Sequence, residues 1–453
     1  LLCQIQKRDP LGAAASERMT LKQLQNEVSL DNSFHVQTLD GSGWTTPKSI
    51  FLTGATGFIG AFILYELLQQ TEATVYCLVR AESITQAYQR LRYTFQRYLL
   101  DVEFPYARIK PVIGDITRPL LGIPNEQFEK LSSTLDVIYH SAANVNLLYP
   151  YAALKAGNVI GTKSVIKLAT HIKTKPVHYV STLDVFESLA ATGVPVIYEN
   201  DSIAQGDGVI GGYPQSKWIA EQLITEAAAQ GLPTCIYRPG MVTGHHQTGI
   251  SNPDDLMCRF LGSFVQLKCA PDLDLMIDMT PVDYVGKAIV YLSRQQGSLG
   301  KAVHLVNPNP IGIDRLLHDL NRIGHSVNKV PYETWKTAIM TKENFLSPLK
   351  NIITEPVWGN LTRLEIWLSG NQVFDCSNTS IGLRDSGIEC PSIDHYLVEK
   401  YMTYISEHDM DNNKEIYDLQ ENRTQVTPFA EIIKSLSGQK SLFATSRIFP
   451  GDV

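Results

Sequence analysis

Residues 49–70 read SIFLTGATGFIGAFILYELLQQ, a short apolar run closed by glycine and followed at once by apolar residues at helical spacing. That is strand, tight turn and helix. Gly54, Gly57 and Gly60 occupy the first, fourth and seventh positions of the turn, with Thr56, Phe58 and Ile59 between them. Glycines so spaced permit a sharp reversal, let a pyrophosphate approach the backbone and let the helix pack close to its strand. The free N–H groups at the helix start are the anion site. The stretch therefore predicts the first strand of a doubly wound α/β fold with a dinucleotide at its carboxyl edge.

Working outward, strand-like and helix-like segments alternate as such a fold requires. ATVYCLVR (73–80) ends in Arg80, where an NAD-binding chain usually carries an acidic residue for the ribose hydroxyls; arginine suits a 2′-phosphate and favours NADPH. The polar helix SITQAYQRLRYTFQRYLL (83–100) carries Arg90, either a second ligand to that phosphate or a solvated charge. RIKPVIGDI (108–116) ends in Asp115 and Ile116, positioned for the adenine or for a turn cap. LDVIYHSAANVN (135–146) ends in Ser141, Ala142 and Ala143, small as a strand end beneath a cofactor must be, and His140 reads as a packed neighbour. PVHYVST (176–182) ends in two hydroxyls, Ser181 and Thr182, either of which suits a substrate carbonyl. PTCIYRPG (233–240) and KAVHLVN (301–307) complete the series.

The expected organisation is a linker over residues 1–45, a Rossmann-type doubly wound parallel sheet over 46–306 with a substrate-side insertion at 245–279, and a smaller, mostly helical C-terminal substrate lobe over 307–407. A flexible tail is expected over 408–453. The net charge of −7 gives no electrostatic footprint for nucleic acid or an anionic membrane, and no apolar run is long enough to span a bilayer. Seven cysteines without a C-x-x-C pair suit a reduced, cytoplasmic chain. His245 and His246 are adjacent without a metal-ligand spacing, so no metal is expected. The chain begins at Leu1 and reads as a piece of something longer.

GGYPQSKWIAEQL (211–223) places Tyr213 and Lys217 four apart at a helix start, on one face. An ammonium beside a phenol lowers its pKa toward the working range, which makes Tyr213 a candidate proton donor.

The glycine turn, Thr182, Tyr213 and Lys217, in this order, resemble the extended branch of the short-chain dehydrogenase/reductase superfamily. More narrowly, TGATGFIGAFILYELL, CLVRA, YPQSKWIAEQL, YRPGMVTGHHQTGISN and DMTPVDYV resemble the thioester reductase domains that end nonribosomal peptide and polyketide synthetases, and those of carboxylic acid reductases. LQNEVSLD (24–31) resembles the linker that joins a carrier protein to such a domain. The resemblance implies Thr182, Tyr213 and Lys217 as catalytic residues, with Ser181 the second choice for the carbonyl. It places Gly54, Thr56, Gly57, Phe58, Ile59, Gly60, Arg80, Arg90, Asp115, Ile116, Ser141, Ala142, Ala143 and Asn158 around the cofactor, with Pro239, Gly240 and Val242 lining the nicotinamide pocket. It further implies NADPH, an acyl or peptidyl carrier protein bearing a phosphopantetheine thioester, and a monomeric domain of a larger synthetase. The expected reaction is reduction to an aldehyde or, after a second hydride, an alcohol. The competing readings are a fatty acyl-CoA reductase, a nucleotide-sugar epimerase or dehydratase, and a cofactor-binding module without turnover.

Overall fold

In a computed structural model of the chain, residues 18–30, 36–37, 39, 43–100, 104–190, 194–204, 208–358, 360–369 and 372–407 are described. The tail expected at 408–453 and residues 1–17 of the expected linker lie outside them.

The segment α1 (Leu21–Glu27) opens at Thr20, whose hydroxyl accepts from the Gln23 backbone while the Gln23 side chain returns the bond, a capping box. Chain order then runs β1 (Ser49–Thr53), α2 (Phe58–Gln70), β2 (Thr74–Val79), α3 (Ile84–Arg97), β3 (Ile109–Ile113), α4 (Asn125–Thr134) and β4 (Val137–His140). Next come α5, assembled from Tyr151–Lys155, a π-turn at Ala156–Ile160 and Gly161–Thr170, then β5 (Val177–Val180), α6 (Gly212–Ala229) and β6 (Thr234–Pro239). After α7 (Leu256–Leu267) and α8 (Val282–Ser293), β7 (Lys301–Leu305) closes the series.

The seven strands form one sheet in the order β3-β2-β1-β4-β5-β6-β7, every pair parallel. The order reverses between β1 and β4, so the crevice at their carboxyl ends is the switch point where this architecture takes a ligand. Burial on both faces explains the near-continuous apolar reading of the strands. One face packs on Phe62, Leu64, Val285 and Ile289 of α2 and α8. The other packs on Val165, Leu168, Trp218, Ile219 and Leu223 of α5 and α6.

A third core gathers Met257, Leu261 and Phe264 of α7 with residues of α9 (Ile313–Arg322), α10 (Tyr332–Thr341), α11 (Arg363–Ser369) and α13 (His395–Glu407), including Trp335, Leu364 and Tyr401. The insertion after β6 thus contributes its helix to this lobe. Part of the stretch expected as lobe packs back on the Rossmann domain: Val373–Phe374 pairs in parallel with Val196–Ile197 in a separate two-stranded sheet, and Thr379 of α12 (Ser377–Leu383) donates to the His304 carbonyl on β7 at 2.9 Å. The residues read as linker are also partly docked. Arg18–Met19 pairs antiparallel with Val209–Ile210, and Leu24 is fully buried. No helix among the described residues is long and apolar enough to cross a membrane.

Candidate active site

The glycine turn is built on contacts no side chain tolerates. Gly54 has φ +83, and a Cβ there would stand 2.7 Å from the Ala142 nitrogen. A Cβ on Gly60 would stand 1.9 Å from the Gly54 carbonyl oxygen. These approaches draw α2 onto the end of β1 and set β4's small residues, Ser141 and Ala142, against the turn. Gly57 caps α2 without a side-chain bond, which leaves the first N–H groups of the helix for an anion. The donor set and the close backbone approach fit a dinucleotide pyrophosphate.

Beside the turn, Arg80, Gln86, Asp115 and Arg118 line an open cleft of about 370 Å³. Arg80 is exposed there, at the position expected of a phosphate ligand. Arg90 sits behind it: its guanidinium donates to the Arg80 backbone carbonyl, so it holds the strand end rather than facing the cleft. Asp115 stays ionised below the usual carboxylate range; burial opposes this, but Thr117 donates to it twice, at 2.9 and 2.8 Å, and Arg80 and Arg118 lie near. That is the turn-capping alternative for Asp115. Ile116 packs against the π-turn, beneath Gly157 and Gly161.

A buried polar chain runs from the end of β1 to α6. Thr53 Oγ1 lies 2.8 Å from His140 Nδ1, His140 Nε2 lies 3.1 Å from Thr162 Oγ1, and Thr162 donates to the Asn158 carbonyl at 2.6 Å. Asn158 Nδ2 donates to Ser216 Oγ at 2.8 Å, and Ser216 donates to the Tyr213 carbonyl at 2.7 Å. Because the Thr162 proton is spent on Asn158, His140 must donate through Nε2 and accept at Nδ1. The neutral tautomer agrees with burial, which brings its pKa down to about 3 with the Lys217 charge adding to it. Asn158 is 2% exposed and also holds the Asn144 backbone on both sides, so the chain's own groups occupy its amide. A π-turn in mid-helix aims that side chain inward.

The two hydroxyls after β5 separate. Ser181 donates to Glu221 at 2.5 Å, and Glu221 is paired with Arg238 at 2.6 Å in a fully buried ion pair, so Ser181 belongs to the core. Thr182 is half-buried, accepts from the Asp184 nitrogen at 3.2 Å and caps the 3-10 turn Leu183–Phe186.

Tyr213 and Lys217 share the buried face of α6 as their spacing predicts, but their electrostatics differ from expectation. Lys217 Nζ donates to the Val180 carbonyl at 2.8 Å and stands 4.2 Å from the Tyr179 ring centroid. Burial lowers the amine to about 7, with Glu221 opposing. The Tyr213 phenol is raised well above its ordinary range, first by burial and then by the Asp184 carboxylate. The expected lowering by Lys217 is overturned because the amine is turned to a backbone carbonyl and carries a weakened charge.

Past β6, the chain at Pro239, Gly240 and Val242 is folded by Asp278, which accepts from the Met241 nitrogen at 3.1 Å and the Asn307 nitrogen at 2.9 Å. Nothing in the sequence pointed to Asp278, nor to Asp184, Glu187 and Arg363, which gather behind Tyr213. His245 and His246 do meet a carboxylate, Asp283, with ligand atoms within 4.8 Å. That carboxylate already binds His246 Nδ1 at 2.6 Å and faces Lys287, which makes the group a tie between the loop and α8.

Residues 52–289 match a family of NAD-binding domains described as Male sterility protein. A linear gramicidin synthase polypeptide of Brevibacillus parabrevis is 40% identical over 400 residues, 87% of this chain and 8% of that protein. The crystal structure of the terminal R domain from the myxalamid PKS-NRPS biosynthetic pathway superposes with TM-score 0.77 at 37% identity, over 86% of this chain and 98% of that one. A UDP-glucuronic acid 4-epimerase from Bacillus cereus, at 19% identity and TM-score 0.54 over 80% of this chain and 97% of that one, shares the fold.

Proposed function

The chain belongs to the Male sterility family of NAD-binding domains and, within it, to the terminal reductase domains of nonribosomal peptide synthetases, and from that premise we propose that it releases a carrier-bound acyl or peptidyl chain by reducing its thioester with NADPH. It is an oxidoreductase. The single observation that carries the reading is Thr182 left at the carboxyl end of β5 while Ser181 is withdrawn into the core, with Lys217, one turn from Tyr213 on α6, bonded to the neighbouring Val180 carbonyl. When bound, the nicotinamide supplies a hydride to the carbonyl carbon.

The chain's residues do the rest. Thr182 and Tyr213 point two hydroxyls at the oxygen on which negative charge develops, in a site where little water weakens them. Tyr213, held protonated, then gives that oxygen its proton. The resulting thiohemiacetal collapses to aldehyde and carrier thiol. Lys217 holds the nicotinamide ribose, and Gly54, Gly57 and Gly60 the pyrophosphate. Pro239, Gly240 and Val242 wall the nicotinamide pocket. The partner is a carrier protein with a phosphopantetheine arm, and free Cys77, Cys235, Cys258, Cys269, Cys376 and Cys390 support a cytoplasmic setting.

The test supplies acyl-pantetheine thioesters with NADPH and identifies the product. Aldehyde or alcohol is expected; oxidation of NADPH by none of them, with turnover of a nucleotide sugar, would sink the reading.

Arg80 carries the choice of NADPH over NADH. Arg80→Ala is expected to weaken NADPH binding by roughly ten- to a hundredfold, the size of one or two charged hydrogen bonds, while NADH binding changes little. Equal losses for both, measured by fluorescence titration, would remove Arg80 from the 2′-phosphate.

A further inference from the structure

We propose that Arg238, Glu221, Ser181 and Phe186 are positioning residues for the hydroxyl that holds the substrate carbonyl: a buried guanidinium at the end of β6 grips the backbone on both sides of Thr182, through Ser181 before it and through the Phe186 ring after it. The inference rests on the reading of Thr182 as the hydroxyl that meets the substrate oxygen.

Arg238 is 4% exposed, and its guanidinium is held on three edges. Nε and Nη2 donate to Glu221 Oε1 at 3.0 and 2.6 Å. Nη1 donates to the Glu199 carbonyl at 3.0 Å and stands 3.2 Å from His304 Nε2. His304 Nδ1 gives its proton to the Asp375 carbonyl at 2.8 Å, so Nε2 is the ring's acceptor and receives from Arg238. The ring is neutral because burial brings its pKa down to about 3, with the Arg238 charge adding to it. A planar cation bonded in three directions inside the core is a fixed point of reference.

Both Arg238 bonds to Glu221 fall on Oε1, which leaves Oε2 for Ser181. Ser181 donates to that oxygen at 2.5 Å, and its backbone N–H donates to the Tyr237 carbonyl at 2.6 Å. The residue before Thr182 is therefore tied both to the strand that carries Arg238 and to the carboxylate that Arg238 holds. After Thr182, the 3-10 turn it caps ends at Phe186, which is 1% exposed, and the Arg238 guanidinium lies 4.7 Å from that ring's centroid. His304 meets the same ring edge-on at 5.7 Å between centroids. Thr182 thus lies within a short span whose two ends rest on one side chain, the first through hydrogen bonds and the second through a charge against a ring. Pro239, the next residue of β6, walls the nicotinamide pocket in the function proposed above. Carbonyl-holding hydroxyl and hydride donor are set from one strand end, and hydride transfer depends steeply on their separation.

The experiment compares single and double variants in the reduction of an acyl-pantetheine thioester by NADPH. Ser181→Ala removes the hydroxyl that fixes the near end and leaves the Arg238–Glu221 pair in place. It is expected to lower kcat roughly tenfold, the effect of a small misplacement at the reacting atoms, with KM for NADPH unchanged. In a Thr182→Ala background the same substitution is expected to cost less than about twofold, because the hydroxyl it placed is gone. Phe186→Leu keeps an apolar side chain, takes the ring from the guanidinium, and is expected to show the same coupling to Thr182 with a smaller loss. A kcat for Ser181→Ala equal to the parent's overturns the inference. So does a loss of the same size in both backgrounds, which is what a merely weakened fold would give. If Ser181→Ala does not fold, Phe186→Leu decides by the same comparison. Parent-like turnover in Thr182→Ala would strike the reading of Thr182 itself.

Discussion

Replacing Tyr213 by phenylalanine is expected to lower thioester reduction by roughly two to four orders of magnitude, the span of a lost general acid, with NADPH affinity held within about threefold. The ring fills a buried place on α6, where Tyr213 is 8% exposed, and phenylalanine keeps that packing. No hydrogen bond to the hydroxyl forms among the described residues, so its removal leaves no buried partner unsatisfied and costs little stability. The loss therefore falls on kcat. Rapid-mixing measurement of hydride transfer, beside a binding titration, separates the two, and a variant that turns over at the parent rate would end the assignment. Retained turnover at low pH alone would point to water as a substitute acid.

The second large effect belongs to Gly60→Ala. A methyl at that position meets the Gly54 carbonyl oxygen and carbon, at 1.9 and 2.6 Å, and both are backbone atoms that cannot rotate aside. Either α2 moves away from β1 or the turn opens. Overpacking of this kind costs about 1–3 kcal/mol of stability. The N–H groups aimed at the pyrophosphate move with the helix, so NADPH affinity is expected to fall by roughly ten- to a hundredfold. Gly57→Ala is the control: its Cβ would stand 3.3 Å from the same oxygen, a contact that a small shift relieves. A thermal melt and a cofactor titration check both variants. Parent-like binding by Gly60→Ala would show that the turn does not cradle the nucleotide as described.

These two sites were the most legible part of the chain, for a physical reason. A glycine turn and a one-face Tyr/Lys pair are local patterns whose geometry follows from helix and strand periods, so spacing alone places them. The sheet was legible for the same reason, strand by strand. What spacing could not resolve is direction and distance. Ser181 and Thr182 look alike in sequence, and only the Glu221–Arg238 pair, fixed by β6 packing against α6, draws one away. Arg90 has the charge of a phosphate ligand, yet its reach ends on a neighbouring carbonyl. The π-turn that turns Asn158 inward leaves no mark in an apolar repeat. Arg238 and Phe186 lie too far apart in the chain for any motif to join them.

The docked N-terminal segment bears on where such a domain can be cut and joined. A boundary drawn at β1, where the glycine pattern begins, would strip Arg18–Met19 from Val209–Ile210 just ahead of Gly211 and leave Leu24's site open. Glu27, which accepts from Tyr151 at 3.0 Å and pairs with Lys155 at 2.7 Å on α5, would go with it. Excised or grafted versions that keep residues from Arg18 onward carry this strap as part of the fold, whereas shorter ones lose part of the support beside α6.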